Sequence, residues 1–200
     1  MVDIENFYSR IKVFGDLQVP IMQRVKPLFD EVIEGLPDEE QFQIKGRFVI
    51  HFRSEVIKYW SEIGSVLKPL LGTVPDFIIT SRDGNCTYTF GDSIEHSLYY
   101  ITIVLDELPK KSDDYIKGLF AHEFAELSFP WRTIKEHRNE LQKLRNKAKD
   151  VRINQLTKKD SQPGTPEYHE HEKLVNQEAV RLGFQKEITA LENETPRFLI

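Results

Sequence analysis

The segment Asp113–Ser128, DDYIKGLFAHEFAELS, constrains the fold more than any other part of the chain. Ile116, Leu119, Phe120, Ala121, Phe124, Ala125 and Leu127 spread apolar surface around nearly the whole circumference of a helix, and such a helix is buried. Yet His122, Glu123 and Glu126 sit in its middle. Burying a histidine and two carboxylates is costly unless a metal or another cation compensates them. The fold must close around this helix and supply that compensation. Ser112 or Asp113 is placed to cap its start. Pro130 predicts its end shortly after Ser128.

The spacing carries chemistry. A helix advances about 100° per residue, so His122 and Glu126, four apart, stand one above the other and can grip one metal ion. Glu123, beside the first ligand, is within reach of water as a general base; this is the working content of a His-Glu-x-x-His helix, with Glu126 in place of the second histidine. A catalytic zinc takes three protein ligands and keeps one position open. The best third ligand is Glu178, in NQEAVRLGF (176–184), with His171 two turns earlier on nearly the same face as the alternative. His169 and His137 are weaker candidates, and His96 could line a cleft edge. Tyr168 or His171 is a candidate oxyanion donor. The competing reading is a cluster without metal, paired to Arg181 or another base.

Around the motif the pattern is α+β and helix-dominant. Ile4, Phe7, Tyr8, Ile11 and Phe14 recur at helical spacing; 22–34 reads as a helix, and 39–70 is the longest helix-periodic stretch, with His51 and Arg53 inside it. Residues 76–81 read as a strand, Arg82–Asn85 as a hairpin turn, 86–90 as the return strand and 97–105 as a third. A polar helical stretch, 132–158, follows the motif helix, and a last helix spans about 167–193. The chain reads as a single domain. Residues 1–72 form an N-terminal helical part, 75–130 a small twisted sheet of three or more strands plus the motif helix, and 131–200 the C-terminal helices.

His122, Glu123 and Glu178 in its Glu-Ala-x-x-Leu-Gly setting, together with this element order, resemble the zincin-like metallopeptidases of the gluzincin type over residues 75–190. That resemblance implies a divalent metal, zinc first, held by His122, Glu126 and Glu178. It implies Glu123 as the catalytic base and a peptide or protein substrate held extended on an edge strand, for which 97–105 is the candidate. Two positions depart from the family pattern. Glu126 replaces a histidine, and Val180 stands where an aspartate often orients a ligand; such outer partners tune metal affinity by roughly 10–100-fold. One histidine and two carboxylates leave a zinc site neutral, make its water less acidic and move preference toward Mn²⁺ or Fe²⁺. The expectation is a metal-dependent, metallopeptidase-like hydrolase. The alternative is a catalytically silent zincin-like protein that binds or regulates.

A net charge of −5 gives no global attraction to nucleic acid or anionic membrane. The 132–158 segment reverses that sign locally, with Arg132, Lys135, Arg138, Lys143, Arg145, Lys147, Lys149, Arg152 and Lys158. It is either a solvated helix or a surface for nucleic acid or an acidic partner. The single cysteine, Cys86, fits a reducing compartment. No stretch approaches the roughly 18 apolar residues that span a bilayer. With no apolar leader at the N-terminus, the expectation is a cytoplasmic protein without a membrane partner.

Overall fold

The computed structural model describes residues 9–37, 47–54, 65–66, 68–69, 86–90, 98–106, 108–136 and 166–194. In chain order the elements are β1 (Ile11–Gly15), α1 (Met22–Gly35), β2 (Arg47–Arg53), β3 (Cys86–Phe90), β4 (Leu98–Val104), α2 (Asp113–Glu136), α3 (Pro166–Arg181) and α4 (Gln185–Glu194). The architecture is α+β with helix dominant. One sheet has the order β1-β2-β4-β3. β1, β2 and β4 run parallel, and β3 lies antiparallel to β4.

Two segments expected as helix are strands. Residues 11–15 form β1, and 47–53, from the longest helix-periodic stretch, form β2. In β2, Phe48, Ile50 and Phe52 join the main core, while Val49, His51 and Arg53 face the other way and are buried too. A strand buried on both faces loses the polar alternation that marks a half-exposed one. Phe48 and Phe52 then also satisfy an i, i+4 helical pattern. The strand and turn expected over 76–85 lie outside the described residues. Residues 86–90 and 98–104 are strands as expected, paired with each other. β4, the candidate edge strand, lies inside the sheet, and β3 is the outermost described strand on that side.

Aromatic packing seats α2 under the sheet. Phe29 of α1 meets Phe120 of α2 edge-on at 5.0 Å and Phe52 of β2 at 6.2 Å, and Phe52 also meets Phe120. Such edge-to-face pairs add about 0.5–1.5 kcal/mol each beyond the area they bury. Arg24 of α1 fixes the start of α2, bonding Asp113 Oδ1 at 2.7 Å and the Lys111 carbonyl at 2.6 Å. Ser112 caps the helix by accepting from the Tyr115 N–H, and its own hydroxyl is held by Glu194 at the end of α4. The helix does not stop before Pro130 but continues to Glu136, forgoing one backbone bond.

The expected last helix is two. α3 closes at Gly183, whose φ of 109° is open to glycine. The Gly183 N–H reaches the Val180 carbonyl and the Phe184 N–H reaches the Ala179 carbonyl, the paired bonds of a Schellman stop. The turn folds α4 back onto α2. At Gly118 the two helices approach so closely that a Cβ would overlap the Glu187 carbonyl.

Candidate metal centre

Ala121, Ala125, Val175 and Ala179 are fully buried in the core that α2 and α3 share. Polar groups flank this stripe on both sides. On α2, His122 and Ser128 are six residues apart, hence about 120° apart around the axis. Glu172 and Glu178 stand in the same relation on α3. The two helices therefore pair their flanks, and two separate polar clusters form.

The first cluster holds His122. Its Nε2 lies 3.2 Å from Glu172 Oε2, and its Nδ1 donates to Asn176 Oδ1 at 2.8 Å. Asn176 in turn donates from Nδ2 to Glu192 Oε1 of α4 at 3.0 Å. Glu123 is buried beside it, and Glu126 follows one turn on, half-buried. Burial alone would lower the His122 pKa. The bond to Glu172, the charge of Glu123 and the bond to Asn176 outweigh that and raise it to about 9. The imidazole thus sits in a strongly electronegative pocket that stabilises positive charge at Nε2.

The second cluster holds Glu178, whose side chain is fully enclosed. Arg181 donates to both carboxylate oxygens, at 2.7 and 2.9 Å, and Ser128 Oγ donates to Oε1 at 3.0 Å. Arg181, foreseen as a base for a metal-free cluster, serves Glu178. The structure thus brings Glu172 to His122 and engages Glu178 elsewhere. Among the described residues, no group of three or more His, Cys, Asp or Glu side chains is arranged to hold a metal ion. His171 lies on α3, but its side chain, like those of Tyr168 and His169, is outside the described residues. His96, His137 and the segment 137–158 are outside them too.

Glu172 and Asn176 were not singled out from the sequence. Their signal is an i, i+4 pair just beside the Val175–Ala179 stripe, whereas Glu178 drew notice through its local Glu-Ala context. Which flank of α3 meets His122 depends on helix rotation, which no local pattern encodes.

No helix among the described residues is long and apolar enough to cross a membrane. Comparison of the chain with protein-family models, with curated proteins and with solved structures gives no match.

Proposed function

We propose that this protein is a metal-dependent hydrolase with a zincin-like fold, acting on peptide or protein substrates, whose metal is held at His122. The observation that carries the reading is the presentation of that imidazole. A ligating histidine characteristically donates its other N–H to a fixed acceptor. Here Asn176 is that acceptor, and Nε2 points at the carboxylate of Glu172. One imidazole facing one carboxylate is donor chemistry that zinc or the harder Mn²⁺ and Fe²⁺ accept, and a third ligand would have to come from beyond the described residues, among which no three such side chains converge. Glu172 replaces Glu178 as the downstream carboxylate in this reading.

The strand order adds support. β3 lies outermost and antiparallel, against α2, where an extended peptide would run beside the motif helix. A bound divalent ion would supply Lewis acidity toward a carbonyl and toward water. Glu123 would take up a proton and return it to the leaving amine.

A second reading is favoured by the occupancy of both His122 nitrogens. A proton on Nε2 supplies the positive charge that a metal would, and the cluster then supports a catalytically silent fold. Elemental analysis of the purified protein, with Zn²⁺, Mn²⁺ and Fe²⁺ titrations, separates the two. About one ion per chain, lost in His122→Gln, supports the metal reading, and peptide hydrolysis lost in Glu123→Gln supports catalysis. A folded protein that takes up none of the three ions sinks both claims. Hydrolysis appearing only in Glu126→His would identify a silent relative.

A further inference from the structure

β1 ends the described sheet on the side opposite β3. The Phe48 N–H donates to the Arg10 carbonyl, and the Asp16 N–H donates to the Phe52 carbonyl. Between these bonds the parallel register sets Lys12 beside Val49 and Phe14 beside His51. Backbone groups of the even-numbered residues thus face β2, and those of Ile11, Val13 and Gly15 face outward. Among the described residues no strand pairs with that outer side. Val13, at its centre, is 37% exposed, as is Leu17 just beyond the strand. A row of outward N–H and C=O groups is a template for another strand.

The charges on β1 select the occupant. Arg10 stands just before the strand, Asp16 just after it, and Val13 midway between them. An antiparallel copy with Val13 opposite Val13 therefore sets each Arg10 opposite the partner's Asp16, and opposite charges so placed attract. The same register joins the Val13 N–H to the partner's Val13 carbonyl and the Gly15 N–H to the partner's Ile11 carbonyl, with the symmetric bonds in return. The Gly15 carbonyl keeps the Leu17 N–H that it already accepts. A copy added in parallel would not close on a two-fold axis.

We propose that β1 is a self-association edge, through which two copies of this chain pair antiparallel over Ile11–Gly15 and join their sheets across a two-fold axis at Val13. The pairing is independent of any metal at His122. A ladder this short makes a weak, concentration-dependent dimer, in the class of small transient interfaces.

Sedimentation equilibrium of the full-length protein over a concentration series should show the mass rising from one chain toward two. Amide hydrogen exchange by NMR should show the Ile11, Val13 and Gly15 amides slowing over the same series. Arg10→Asp and Asp16→Arg each set like charges opposite one another at both ends of the ladder, and each alone should weaken the dimer by about tenfold. Mixed together, the two variants again face opposite charges at both ends, so a heterodimer of wild-type affinity should return, which no purely structural effect of either change would produce. Val13→Pro removes an outward N–H and leaves the bonds to β2 alone. It should abolish the dimer with the far-ultraviolet circular dichroism unchanged. Asp16 also accepts from Ser54 at 2.6 Å, so if Asp16→Arg fails to fold, Arg10→Asp and Val13→Pro decide the question. One-chain mass at every concentration would overturn the proposal and leave the edge to a strand from another protein. Slow exchange of the Ile11 and Val13 amides in a protein of one-chain mass would overturn it too, by showing that another segment of the same chain covers the edge. A dimer that survives both Arg10→Asp and Val13→Pro would place the interface elsewhere.

Discussion

Glu178 is enclosed by the α2–α3 interface, and three hydrogen bonds reach its carboxylate there. Arg181 supplies two of them from a half-exposed position, so it is the group whose loss can be read cleanly. Hydrogen bonds to a charged group contribute about 1.5–3 kcal/mol, and an uncompensated buried charge costs at least that. Arg181→Ala should therefore lower stability by about 2 kcal/mol in urea unfolding. Glu178→Gln, which keeps the shape and removes the charge, should cost less. An unchanged urea midpoint in Arg181→Ala would mean that the pair is idle. His122 makes the complementary case. Its place on a buried helix next to two glutamates was legible in the sequence, because helical spacing alone sets it. Its partners Glu172 and Asn176 were not, because they belong to a helix some fifty residues away whose rotation is set by packing.

Among the elements, α2 is the one whose ends and neighbours are most specified. Ser112 caps it, Arg24 ties it to α1 and Gly118 lets α4 lie directly on it. Alanine is normally worth about 1 kcal/mol more than glycine within a helix. At position 118 the sign should reverse, since the new methyl would meet backbone, which cannot swing aside. We expect Gly118→Ala to destabilise the protein by about 1–3 kcal/mol by the overpacking route, measured as a fall in thermal midpoint. A rise would show that α4 shifts freely. Ser112→Ala should cost about 1 kcal/mol as an ordinary cap loss. The strands divide in legibility. β4 announced itself through a β-branched and aromatic run ending before Pro109. β2 did not, because burial on both faces erased its alternation.

At the scale of the whole molecule, the face of the sheet turned away from the main core is polar as well as buried. His51 stacks on Phe14 at 4.4 Å and shares a 2.7 Å hydrogen bond with Tyr100, while Arg53 donates to Thr102 at 2.6 Å. Burial first, then the Arg53 charge, lowers the His51 pKa to about 4 against the opposing pull of Asp16. The unfolded chain takes up this proton near 6.5, whereas the native state refuses it until about 4. Stability from this group is therefore whole above 6.5 and is lost as pH falls from 6.5 to 4. Across that window the loss amounts to about 3 kcal/mol. Urea midpoints at about pH 7 and about pH 4.5 should differ accordingly, and His51→Gln should flatten the difference. A wild-type acid limb as flat as that of His51→Gln would refute the assignment.

What the sequence by itself determined was local. The buried, charged motif helix with its cap at Ser112 or Asp113, the strands β3 and β4, α1 and the helix-dominant α+β class all follow from periodicity, capping and turn chemistry within a few residues. Tertiary structure alone decided that 11–15 and 47–53 are strands, that Gly183 breaks the last helix in two, and that Glu172, not Glu178, meets His122. The reason is common to the last and the first. A segment enclosed on all sides carries no solvent-facing pattern, and the flank a helix turns toward its neighbour is chosen by the fit of Ala121, Ala125, Val175 and Ala179, not by the carboxylates beside them.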